Sequence, residues 1–355
     1  MPGQRPWSRA LFCASLLASG SAQAFTYEVL FEDTVGRDAV VLGRTPGFQA
    51  VAKSILLDGS VKTSGTNTRS YDRILINYAK YMQQFAIGAN ASLRLTLPVL
   101  ANYRKEEGEQ VPSIVTESTW FETKPKFEFV YATQNALDLV LGVDGYYVSP
   151  FEAKSESAFF TATDKFDEAS TTYGHLAVVK HGGNFDGGFA FKTAAEKKRN
   201  VTKSTNIDES SFVVEDRIYD PTTISIFMRT RLGLGLVYGE FAAIEASGGG
   251  NRTDRGATVK EDYFRVQLAG FFPLGPFGFE STLIYKSLSY ADNRNVTMDT
   301  IPMLSLQMKL SMNMGIPVFA GLIGVSGTDG QSIPEFNAKY KLFGIGGIAG
   351  IQSNF

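Results

Sequence analysis

Cysteine is nearly absent: Cys13 is the only one in 355 residues, so no intramolecular disulfide and no multi-cysteine metal site can form. Long apolar runs are missing too. After Ala24 no stretch of about eighteen apolar residues occurs, which removes the spanning helix. The chain has no H-E-x-x-H, no G-x-S-x-G, no carboxylate calcium loop and no phosphate-binding glycine motif, so no metal, cofactor or catalytic residue is expected. A formal charge of −2 offers no basic surface for nucleic acid.

What is present begins with an address. Arg5 and Arg9 precede an apolar stretch at 10–18, and Ala22-Gln23-Ala24 is a small-x-small cleavage pattern, so residues 1–24 read as a secretory signal. Phe12 before Cys13 argues against lipoprotein processing. Loss of the two arginines takes the charge from −2 to −4 for a chain starting at Phe25.

Beyond residue 50 the dominant signal is a period of two. Ala91, Leu93, Leu95, Leu97, Val99, Ala101 and Tyr103 share one face of a strand, and Asn90, Ser92, Arg94, Thr96 and Asn102 the other. Phe127, Phe129 and Tyr131 alternate with Lys124, Lys126 and Glu128, while Leu137, Leu139, Leu141 and Val143 alternate with Asp138 and Asp144. Ile224, Ile226 and Met228 oppose Ser225, Arg229 and Arg231, and the same alternation sets Leu304, Leu306, Met308 and Leu310 against Ser305, Gln307 and Lys309. A mean hydropathy near zero (−0.06) is what results when lipid-facing and water-facing residues alternate.

These patterns predict an all-β protein, a transmembrane antiparallel up-and-down barrel of about 14 strands, with 12 or 16 as alternatives. A soluble β-sandwich or periplasmic lectin is the competing architecture for alternating strands. The strand cores fall at 50–61, 71–80, 88–104, 119–132, 137–149, 171–181, 187–197, 221–231, 233–245, 260–271, 277–290, 299–311, 316–325 and 335–355. Short turns near 82–87, 133–136, 182–186, 272–276 and 312–315 alternate with long polar segments at 105–118, 150–170, 198–220, 246–259 and 326–334. Both termini then lie on the periplasmic side. The domains are the signal at 1–24, an N-terminal segment at 25–49 serving as a tail, an extra strand or a lumen plug, and the barrel at 50–355.

The stretch from Tyr78 to Pro98, a strand, a short turn and then Leu93-Arg94-Leu95-Thr96-Leu97-Pro98, resembles the opening of an outer-membrane family associated with phenol meta-cleavage pathways. More loosely it is similar to long-chain fatty acid and aromatic-hydrocarbon transport barrels. The resemblance implies passage of small hydrophobic molecules across the outer membrane. The Asn-Pro-Ala motif of the fatty acid transporters is missing, with Arg44-Thr45-Pro46-Gly47-Phe48 in its place.

Three roles follow from the residues. In a channel, the lumen is lined by Arg73, Arg94, Lys124, Lys126, Lys192, Arg229, Arg231, Arg265, Lys286 and Lys309 against Glu128, Asp138, Asp144, Glu196 and Glu280. Such an excess of basic groups either biases a pore toward anions or pairs across strands. In a recognition or structural barrel, the external aromatics Phe151, Phe159, Phe160 and Phe166 capture hydrophobic molecules, bind lipopolysaccharide or pack the loops. An outer-membrane hydrolase would need His175 or His181 beside a serine such as Ser170 or Ser287. The expected partners are outer-membrane lipid and lipopolysaccharide, a small-molecule solute, and the barrel assembly machinery through the terminal Phe355; the oligomeric state is left open. With Leu95 facing lipid and Arg94 facing water, Leu95→Arg is expected to destabilise the barrel and Arg94→Gln to leave folding intact.

Overall fold

The computed structural model describes residues 46–63, 69–108, 113–133, 135–193, 195–206, 211–220, 222–232, 235–247, 258–292, 297–314, 316–333 and 336–353. Of the N-terminal segment expected at 25–49, residues 25–45 lie outside them, as do the signal and Phe355, while residues 47–49 already belong to the first strand. Nineteen ladder segments are present: β1 (Gly47–Thr63), β2 (Arg69–Ala86), β3 (Ala91–Gly108), β4 (Ile114–Thr123), β5 (Lys126–Ala132), β6 (Leu137–Val148), β7 (Phe151–Glu156), β8 (Thr161–Phe166), β9 (Ala169–His181) and β10 (Phe185–Lys192). They continue with β11 (Ala195–Thr205), β12 (Ser211–Asp220), β13 (Thr222–Leu232), β14 (Gly235–Ser247), β15 (Thr258–Leu274), β16 (Phe277–Asp292), β17 (Thr297–Asn313), β18 (Pro317–Ile333) and β19 (Phe336–Ser353).

Five pairs of these segments are single staves with a break. β3 pairs with β5 through Ala91–Thr96 and with β4 through Val99–Gly108, so β4 and β5 are one strand interrupted at residues 124–125. Pro125 has no N–H to give the ladder, and Pro98 on β3 lies beside the gap. By the same test β6 joins β7 across Pro150, β8 joins β9, β10 joins β11 and β12 joins β13. The result is a closed antiparallel barrel of 14 strands. Closure is made by β1 and β19, registered from Phe48↔Ser353 to Thr63↔Ala338. Every backbone donor and acceptor along those edges is thereby paired, the condition for strands to sit in hydrocarbon.

Short turns at 87–90, 182–184 and 275–276 mark one end, where Gly47 and Ser353 also lie. Gly275 takes φ +63°, a conformation that favours glycine in so tight a connection. The opposite end differs from the sequence expectation. The segments 150–170 and 198–220, expected as loops, are largely ladder: β7 pairs with β8, β8 with β11 and β11 with β12. Where both faces of a sheet meet water, alternation disappears from the sequence while backbone pairing persists. A strand of 17 residues such as β1 extends about 56 Å at ~3.3 Å per residue, well beyond an apolar band of roughly 25 Å.

Burial alternates along the staves, as in β5, where Lys126, Glu128, Val130 and Ala132 are buried and Phe127 and Tyr131 exposed. In a closed sheet the buried row is the inner one. The outer row carries Leu141, Val143, Phe189, Ile224, Ile226, Met228, Leu306 and Ile345, and near the short-turn end Tyr81, Phe85, Tyr131, Phe185, Phe272 and Phe277 form an aromatic girdle.

Candidate functional site: the inner wall of the barrel

The inner wall divides by chemistry. From β18 through β19, β1 and β2 to β3, the inward residues Val325, Ile323, Ile348, Val51, Ile55, Leu57, Ile74, Ile76, Tyr78 and Leu100 form one apolar cluster that continues to Trp120 and Val148. The strands that carry it hold apolar residues on consecutive positions, Ile55-Leu56-Leu57 and Ile74-Leu75-Ile76, so that both faces are apolar. β19 gives the bulky side chains room. A Cβ on Gly344 would stand 2.3 Å from Leu57 Cδ2, and one on Gly346 2.9 Å from Ile55 Cγ1. The glycines of β19 thus let Leu57 and Ile55 lie across their neighbour.

The wall of β3, β5, β6, β9, β10 and β13 interleaves buried charge with a second, smaller apolar cluster, Val130, Val140, Ala177, Val179, Ala190 and Phe227. Gln84, Arg94, Glu128, Gly142, His175 and Lys192 occupy one lateral row across six staves. Arg94 is fully buried; its Nε donates to Gln84 Oε1 at 3.0 Å and its Nη1 to Glu128 Oε2 at 3.2 Å. His175 reaches over the intervening strand to Glu128 Oε1 at 3.1 Å through Nε2, and its Nδ1 lies 3.0 Å from Asp144 Oδ2. This is possible because residue 142 is glycine: a Cβ there would fall 2.2 Å from the imidazole. Nearer the short-turn end a second chain runs from Asp138 Oδ2 to His181 Nε2 at 2.9 Å, and from His181 Nδ1 to Asp186 Oδ1 at 3.0 Å; Arg229 closes it, its Nε donating to Asp186 Oδ2 at 2.8 Å.

The long-loop mouth is aromatic. Phe151 and Phe166 stack at 4.4 Å with planes 11° apart, Trp120 lies 5.7 Å from Phe151, and the Arg199 guanidinium stands 5.3 and 4.6 Å from the two phenylalanine rings. Cation–π contact of this kind holds the hairpin against the next stave. Arg104 grips Asp72 with two hydrogen bonds of 2.9 and 2.8 Å, and burial keeps the neighbouring Glu106 carboxyl above its usual range, against the pull of Arg104.

Of the residues named from the sequence as lumen candidates, Arg94, Lys126, Glu128, Asp138, Asp144, Arg229 and Arg265 are buried on the inner face. Lys124 lies over the Tyr146 ring at 5.2 Å, Lys192 over Tyr173 at 4.3 Å, and Lys309 pairs with Glu280 at 2.8 Å. Arg73 is a correction: it is exposed on the outer face, 2.9 Å from Asp58, because inward positions on β2 are the even ones. Arg231 has the inward parity but is exposed at the short-turn end. The Lys286 and Glu196 side chains lie outside the described residues. Phe159 is 77% exposed at the β7–β8 tip, whereas Phe160 is half-buried, its carbonyl accepting from the Ser157 N–H at 2.9 Å. Both ring nitrogens of His175 and of His181 are engaged by carboxylates, and Ser170 has the outward parity of its strand.

Sequence reading missed the apolar half of the wall, although the doubled apolar runs of β1 and β2 signalled it. It also missed Glu122, which accepts from Trp120 Nε1, from Asn102 Nδ2 at 3.4 Å and from Tyr146 OH at 3.0 Å.

Comparison with known proteins agrees with the architecture. No family model matches the chain, so the resemblance to the phenol meta-cleavage family is not shown, and no curated protein matches it. Among solved structures, the Pseudomonas putida toluene transporter TodX matches with a TM-score of 0.54 at 9% identity, over 91% of this chain and 91% of that one. The Ralstonia pickettii toluene transporter TbuX gives 0.53 at 8% identity, over 88% and 90%. A Pseudomonas aeruginosa FadL homologue gives 0.55 at 8% identity, over 86% and 90%. At these identities what is shared is the fold: the chain is built as a barrel of the kind these proteins use.

Proposed function

We propose that the protein is an outer-membrane channel for small apolar and aromatic molecules in a Gram-negative cell, and that it is not an enzyme. The observation that carries the reading is the apolar inner wall of β18, β19, β1 and β2. The interior of a solute pore is polar. The residues of this cluster are only 0–7% exposed and pack on one another, so the interior offers apolar surroundings, worth about 25 cal/mol per Å² buried, to a passenger that is itself apolar. The toluene transporters among the structural neighbours are in accord with this. The basic residues of the inner wall do not favour anion selectivity, since Arg94, Arg229 and Lys309 each face a carboxylate. Outer-membrane lipid, lipopolysaccharide and the barrel assembly machinery, the last through Phe355, complete the proposed partners.

Uptake of radiolabelled toluene by intact cells tests the reading. Expression of the protein should raise the initial rate without raising that of a sugar of similar mass, and Ile55→Asn with Ile76→Asn should abolish the gain, heat-modifiable gel mobility separating a folded variant from a failure of assembly. Equal acceleration of the sugar would make the protein an unselective pore. A second reading, a recognition barrel working through its hairpins, draws on the exposed Phe159. Phe159→Ser with Phe160→Ser should slow aromatic uptake without altering assembly; no change would confine these residues to loop packing.

A further inference from the structure

The apolar wall ends in a pair of hydrogen-bond acceptors. Ile323, Gly346, Ile55, Ile76, Asn102 and Trp120 lie in one lateral row, so the aliphatic surface runs directly into the Asn102 amide. The amide is 1% exposed, and its orientation is set by Glu122: Nδ2 faces Glu122 Oε1, which leaves Oδ1 on the other side. Asn102 Oδ1 is buried and accepts no hydrogen bond from the described residues.

Glu122, one step along the wall, is buried as well. Its three partners are Trp120, Asn102 and Tyr146, all neutral donors, and among the described residues no cation pairs with it. A carboxylate has about four acceptor positions. Three donors leave one open, on Oε2, where Tyr146 alone is bound.

We infer that Asn102 and Glu122 form a selectivity site within the passage, taking molecules with an apolar body and a hydroxyl or ammonium donor at one end. The inference rests on the proposed channel. Two acceptors side by side complement a donor, while a carboxylate would meet the Glu122 charge and a bare hydrocarbon would leave Asn102 Oδ1 unbonded. Discrimination of this kind is large because the alternative is a buried polar atom without a partner.

Trp120 reports on the site. The chain has two tryptophans, Trp7 and Trp120, so the full chain carrying Trp7→Phe emits from the indole bonded to Glu122. Titration of this variant in detergent with benzyl alcohol, benzylamine, toluene and benzoate should give saturable emission changes. Benzyl alcohol and benzylamine should bind at least about tenfold tighter than toluene, with benzoate weakest. Asn102→Leu should bring benzyl alcohol to the level of toluene, and Glu122→Gln should bring benzoate up to within a few fold of benzyl alcohol. Heat-modifiable gel mobility confirms that each variant is folded, and the wild-type ranking decides the matter even if one is not. Equal binding of all four probes would overturn the acceptor site and leave the apolar channel standing; failure of all four to bind, together with absent toluene uptake, would remove both.

Discussion

At the scale of single residues, the inner wall is held by contacts that allow little substitution. Arg94 was expected to tolerate glutamine as a water-facing residue, but it is buried between Gln84 and Glu128. Removing one partner of a buried pair leaves an uncompensated charge, at about 3 to 5 kcal/mol. Arg94→Gln should therefore lower the urea midpoint of unfolding about as much as Leu95→Arg, a lipid-facing charge worth roughly 2 to 4 kcal/mol. A midpoint within error of wild type would show that Glu128 finds a substitute. Gly142→Ala isolates the same network without changing charge, since its methyl group would occupy the space of the His175 ring. It should lower the midpoint clearly, whereas Gly324→Ala, where an added Cβ meets nothing within 4 Å, should leave it within the ~0.5 kcal/mol usual for surface changes.

At the scale of elements, the hairpins of the long-loop end are extensions of the staves below them. β7 and β8 are joined through Phe151 and Phe166 and held against β11 by Arg199. Aromatic pairs add about 0.5 to 1.5 kcal/mol beyond their buried area. Phe166→Ala should accelerate protease cleavage at the 157–160 tip several-fold while the barrel below remains resistant; an unchanged cleavage rate would mean that backbone pairing alone keeps the hairpin shut. Proline explains two of the breaks that separate such extensions from the staves: Pro150, just beyond the strand core expected at 137–149, and Pro125, which the core expected at 119–132 ran across. The ladders beyond the breaks were not legible in the sequence, because a strand wetted on both faces has no periodic signature.

At the scale of the molecule, closure decides everything else. Between β18 and β2, strands β19 and β1 complete the ring. Truncation after Phe343 removes most of the β19 register and exposes edges that hydrocarbon cannot solvate. No heat-modifiable band should appear on gels of the truncated chain; a folded band would imply closure with fewer strands.

The sequence by itself determined the barrel. Alternation over segments of about ten residues, short turns alternating with long polar segments, and the absence of a spanning helix lead to about 14 antiparallel strands with 12 or 16 as alternatives, and the parity of β3, β5 and β6 placed Arg94, Glu128, Asp138 and Asp144 on the inner face, expected there as water-facing and found buried. Parity says which face a residue takes, but not what stands beside it. Lateral register brought Arg94 to Glu128, carried His175 across Gly142, and set the aliphatic row of β18, β1 and β2 against Asn102 and Trp120, all residues distant in sequence. Whether a basic residue attracts anions or only neutralises a neighbour depends on those distances, and only the closed structure decided them.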